Sequence, residues 1–115
     1  MTTSYFLAVD VGTSRTAAAT ARISSDGTIT ASPFALGRQS DSTPSVVFIS
    51  DGELLFGDAA ARRGVAQPER LVREFKRRIG DEIPILAGGR RFSPEQLYAL
   101  LVSWVIDTVT EVKGR

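Results

Sequence analysis

The stretch that most constrains this chain lies near its start, in FLAVDVGTSRTAAAT. A continuous apolar run from Tyr5 to Val9 stops at Asp10 and turns near Gly12, the pattern of a strand buried on both faces. From Thr16 to Ser24 the residues alternate, with Ala17, Ala19, Ala21 and Ile23 on one face and Thr16, Thr20, Arg22 and Ser24 on the other. That period of two predicts an antiparallel partner for the first strand. Ser25-Asp26-Gly27 supplies the next turn, and Thr28 to Leu36 reads as a third strand broken near Pro33. The opening is therefore expected to be a meander.

A polar loop from Gly37 to Thr43 leads to Pro44–Ile49 and Glu53–Phe56, which flank Asp51-Gly52 as a hairpin. Asp58 is placed to cap a short helix, Ala59 to Ala66. Pro68 is expected to start a second helix, with Leu71, Val72, Phe75 and Ile79 inward and Gly80 as its left-handed cap. Gly88-Gly89 marks another small hairpin. Ser93, Pro94 and Gln96 form a capping box with proline at the first helical position, and Phe92 and Leu97 fit a hydrophobic staple. Leu97, Leu100, Leu101, Trp104, Val105, Thr108, Val109 and Val112 follow at helical spacing until Gly114.

Composition narrows the chemistry. The chain has no cysteine and no histidine, so disulfides, thiolate or imidazole metal sites and histidine-based triads are excluded. With 43% apolar residues the 115-residue chain suits one small domain or a subdomain of something larger. A net charge of +1 does not call for nucleic acid or an anionic membrane. Neither a secretory leader nor a run of about 18 apolar residues is read. With the missing cysteines, this leads to a cytoplasmic expectation.

Two constellations could carry function. In the first hairpin, Gly12 allows close backbone approach to a ligand, while amides and hydroxyls of Thr13 and Ser14 can face phosphate oxygens. Asp10 at the strand end suits a hydrated magnesium ion, which keeps several waters and needs few carboxylates. Aspartate and glycine at a tight turn are also ordinary turn chemistry, and the GxxxxGK[ST] loop is absent. The second is the basic run Arg73, Lys76, Arg77 and Arg78, which read by itself is a solvated helix face. With Arg90 and Arg91 it could meet a phosphate backbone, but no aromatic residues are interleaved for base stacking.

The order DVGTS, TPSVVFIS and GELLFGDAAARRGVAQPERLVREFKRRIGD resembles the N-terminal part of the actin-like ATPase domain of DnaK-type, 70-kilodalton heat-shock chaperones. Sugar kinases of the same superfamily share the opening motif, and TPSVVF with FKRRIG separates the two in favour of the chaperone. Ser14 departs from a threonine and Arg15 from an asparagine or tyrosine usual in the family.

The resemblance implies an α/β fragment of an actin-like (ribonuclease H-like) lobe, with a mostly antiparallel opening sheet, a small inserted α/β subdomain and a C-terminal amphipathic helix. Its segments would be 1–38, the first-lobe sheet; 39–92, the inserted subdomain; and 93–115, the first-lobe helix. It further implies ATP or ADP with Mg2+ in a longer parent, Asp10 holding the magnesium shell through water, and Gly12, Thr13 and Ser14 around the phosphates. Lys76 falls on the family's catalytic lysine, which stabilises charge on the transferring phosphoryl group. Clients and co-chaperones would be the parent's partners. Family members are several times longer and carry a second phosphate loop and further catalytic carboxylates, so the fragment alone is expected to be inactive and to self-associate. A non-catalytic actin-like scaffold is the alternative of a different class.

Overall fold

The computed structural model describes residues 4–114. Its first sheet is a meander of β1 (Phe6–Val11), β2 (Arg15–Ile23) and β3 (Ile29–Phe34), with the short β4 (Thr43–Pro44) pairing the start of β2. All pairings are antiparallel, and the register sets Asp10 opposite Ala17 and Val11 opposite Thr16. A second sheet places β5 (Val46–Ile49) between β6 (Leu54–Phe56) and β7 (Leu71–Arg73). Strands β8 (Ile85–Ala87) and β9 (Arg90–Phe92) form a separate hairpin around Gly88 and Gly89, both at positive φ. Two helices, α1 (Gly57–Ala66) and α2 (Pro94–Lys113), complete a mixed α/β arrangement.

The capping box at α2 is present as predicted: the Ser93 hydroxyl accepts from the Gln96 amide, and the Gln96 side chain accepts from the Ser93 amide. The helix contributes to two hydrophobic cores, while a third, of Val46, Phe48 and Ala60, lies between the second sheet and α1. Leu97 and Leu101 join Val11, Val47, Phe75 and Phe92 in one core, whereas Val105 and Val109 join Ala18 and Phe34 in another. Fully burying such side chains contributes about 1.5–3 kcal/mol each. Val112, expected on the same stripe, is exposed.

Four expectations are corrected. Strand β1 is not buried on both faces: Phe6, Ala8 and Asp10 are exposed while Leu7, Val9 and Val11 turn toward the α2 side. Only β2 pairs it among the described residues, which leaves its other edge unpaired, and the face with Phe6, Ala8 and Asp10 is open. Strand β3 runs through Pro33 without a break, which its edge position tolerates because the missing N–H has no ladder partner to serve.

The helix expected from Pro68 does not form. Pro68–Arg70 makes a 3-10 turn, Leu71–Arg73 becomes β7, and Phe75–Arg78 makes a second 3-10 turn. Pairing with β5 buries Val72 opposite Val47, and Glu74 at φ 51° then reverses the chain. Here sheet pairing overrides helical spacing.

Asp58 is likewise not the cap of α1. The helix begins at Gly57, and the Asp58 amide donates at 3.1 Å to the hydroxyl of Thr43, a fully buried residue on β4. The Asp58 carboxylate instead accepts from the Arg38 amide at 3.0 Å. Gly57 itself sits at φ +62° against Thr43, a placement that a Cβ would obstruct.

Candidate phosphate-binding site

The turn between β1 and β2 is closed by the Gly12 amide donating to the Arg15 carbonyl at 2.9 Å. A Cβ at Gly12 would lie 2.7 Å from that same carbonyl oxygen, so the turn in this form requires glycine. Three contacts from Ser45, the residue between β4 and β5, fix it from behind. The Ser45 amide donates to the Ser14 carbonyl at 2.9 Å, and its hydroxyl donates to the Gly12 carbonyl at 2.9 Å. That hydroxyl also shares a 2.7 Å hydrogen bond with the hydroxyl of Thr16, and both residues are buried.

Packing from behind leaves the outer side of the turn open. Asp10 and Ser14 are exposed and Thr13 is partly so. Their carboxylate and hydroxyls have no hydrogen-bond partner among the described residues, so acceptors and donors stand free at one strand end. Arg15 leaves this group. Its guanidinium donates to the Ser42 hydroxyl at 2.6 Å and the Ser42 carbonyl at 2.9 Å.

Lys76 lies on the second 3-10 turn and is exposed, next to Phe75, which is 1% exposed. Phe75 and Val11 belong to the same core, so the residue preceding Lys76 and the residue preceding Gly12 are anchored in one packed unit. The far end of the turn is fixed by the Gly80 amide, which donates to the Glu95 carboxylate in the first turn of α2 at 2.8 Å. That bond, helped by the Glu95 amide, holds the Glu95 carboxyl below its ordinary range. The basic run is not one face. Arg78 clasps Asp81 and the Ile83 carbonyl, while Arg73 lies on β7 and Arg77 is exposed.

A metal bound wholly by protein does not fit: no cluster of three or more carboxylate, thiol or imidazole groups exists among the described residues. A single exposed carboxylate beside a glycine turn is compatible only with a hydrated cation held partly by its ligand. Ser45, Thr43 and Glu95 were missed as positioning residues. TPSVVF held the signal for the first two, since a hydroxyl pair flanking a strand start can bond an adjacent turn.

No protein-family model matches the chain. Among curated proteins, the chaperone protein DnaK of Elusimicrobium minutum is 38% identical over 102 residues, covering 86% of this chain and 16% of that protein. The DnaK proteins of Endomicrobium trichonymphae and Cenarchaeum symbiosum are each 36% identical over 99 residues, 84% of this chain. By sequence the chain belongs to the DnaK-type chaperone family. It spans about one sixth of the length of these DnaK relatives. Within this DnaK-type segment the exposed groups at Asp10, Thr13, Ser14 and Lys76 come from two elements that share one core, and no helix among the described residues is long and apolar enough to cross a membrane.

Proposed function

We propose that this chain is a segment of an actin-like, chaperone-type ATPase and contributes the first phosphate hairpin and a catalytic lysine. The observation that carries this reading is the Ser45-braced Gly12 turn, which leaves Asp10, Thr13 and Ser14 facing outward at one strand end. In this reading Thr13, Ser14 and the turn amides hold phosphate oxygens of ATP or ADP, and Asp10 orders waters around Mg2+. Bound magnesium supplies charge neutralisation at the phosphates. Lys76 offers a compact positive charge toward the transferring group.

The proposed boundaries are 1–38 for the lobe's opening sheet, 39–92 for the inserted subdomain and 93–115 for the lobe's helix. A cytoplasmic parent with client proteins and co-chaperones completes the reading, supported by the DnaK relatives.

The test is made in a full-length protein that carries this segment. Lys76→Ala should keep ATP affinity within roughly tenfold, while single-turnover hydrolysis falls on the order of 100-fold or more. Hydrolysis at the parental rate would remove the catalytic assignment and leave a nucleotide-binding scaffold.

A further inference from the structure

A groove of about 1040 Å³ lies between the β3–β4 loop and α1, and Arg15, Arg38 and Arg62 line it together with Ser40, Ser42 and Asp58. None of Asp10, Gly12, Thr13, Ser14 or Lys76 contributes to it. Arg15 is held in place by Ser42, whereas the guanidiniums of Arg38 and Arg62 have no hydrogen-bond or ion-pair partner among the described residues. An adjoining apolar depression of about 320 Å³ is formed by Leu36, Leu54, Leu55, Phe56 and Trp104. Arg38, Asp58 and Arg62 border both, so the two adjoin.

Three arginines line one groove, and the guanidiniums of Arg38 and Arg62, free of other partners among the described residues, suit carboxylate or phosphate oxygens, which they bind in bidentate fashion. A compact polyphosphate suits the groove poorly. Two of the backbone amides at its lining are already engaged, that of Arg38 by the Asp58 carboxylate and that of Asp58 by the Thr43 hydroxyl. The Asp58 carboxylate inside the groove also repels concentrated negative charge. Carboxylates spaced along an extended chain can pass on either side of it and meet the arginines in turn. The adjoining depression adds a place for an apolar side chain, as expected of an anchor in a protein interface.

We propose that this groove binds an acidic polypeptide segment of a partner protein, its carboxylates on Arg15, Arg38 and Arg62 and an apolar residue against Phe56 and Trp104. The arrangement is independent of nucleotide, so it holds whether or not Lys76 is catalytic.

The test titrates the chain with a short fluorescein-labelled peptide that alternates glutamate pairs with leucines. Anisotropy and the emission of Trp104, the single tryptophan, report binding. At low salt the peptide should bind, alter Trp104 emission and lose affinity as salt rises. The double variant Arg38→Glu with Arg62→Glu should weaken it at least about tenfold, while Arg91→Glu, an exposed change on β9, should not. Arg38→Ala with Arg62→Ala provides a gentler version if charge reversal disturbs folding, which circular dichroism checks. Absence of binding at low salt overturns the proposal, as does affinity indifferent to Arg38 and Arg62. Equal affinity for a glutamate-only peptide, or arginine-dependent binding of tripolyphosphate that excludes the peptide, would overturn it in favour of a simple polyanion site.

Discussion

The Ser45 hydroxyl donates to the carbonyl oxygen of Gly12 across 33 residues of sequence, and this one bond ties the link between β4 and β5 to the turn of the first sheet. The Ser45 hydroxyl also meets the hydroxyl of Thr16, a fully buried residue, so Ser45 serves both the turn and the start of β2. Ser45→Ala removes both contacts and leaves the Thr16 hydroxyl buried without that partner. Stability should fall by about 1–3 kcal/mol in urea denaturation. In a nucleotide-binding parent, affinity should fall further than the stability loss explains. Unchanged unfolding together with unchanged affinity would show that the turn stands without its brace.

The contact between Gly80 and Glu95 gives a pH dependence whose sign follows from its geometry. The Gly80 amide favours the ionised carboxylate, so the folded state holds Glu95 below its ordinary value of 4.5. A depressed folded value means the contribution is complete above the unfolded value and is lost as pH falls through the folded one. Carboxyl NMR should therefore show Glu95 titrating below 4.5, with the Gly80 amide resonance following it. A Glu95 midpoint at or above 4.5 would contradict the contact.

Leucines on the surface and in the core should separate cleanly. Leu101 is 0% exposed and Leu86 is 69% exposed. Leu101→Ala should cost about 2–5 kcal/mol, and Leu86→Ala should stay within about 0.5 kcal/mol. Similar values for the two in thermal or urea unfolding would mean that α2 does not pack as described.

Strand β1 offers an unpaired edge among the described residues and an uncovered face that includes Phe6, 65% exposed. Such edges and patches favour pairing between chains. Sedimentation equilibrium should detect self-association that rises with concentration, and Phe6→Lys should reduce it. A monomer at all concentrations, unaffected by the substitution, would refute this.

What could be read from sequence divides along a physical line. Local signals were legible: Ser93 and Gln96 fixed the start of α2, Gly12 fixed the first turn, and Asp51-Gly52 fixed the β5–β6 hairpin. Features settled by distant partners were not. Leu71 to Arg73 carry helical spacing, yet β5 draws them into a strand. The cap of α1 comes from Thr43, 15 residues earlier, where no local capping motif could point to it. The Gly12 turn and the Lys76 turn were each nameable from their motifs, but their sharing of a core through Val11 and Phe75 required the fold.

Helix α2 reaches both parts of the candidate site, with Val105 and Val109 packed in the core beside Val9, Leu101 in the core with Phe75, and Glu95 holding Gly80. It thereby acts as a spacer bar between an anionic group on one strand and a cationic group on one turn. A shift or tilt of this rod relative to either sheet would change the separation of Asp10 and Lys76 without touching either residue. Ile106, exposed beside Val105, lies on the part of the rod that packs on the sheet carrying Asp10, whereas Glu95 lies on the part that holds the Lys76 turn.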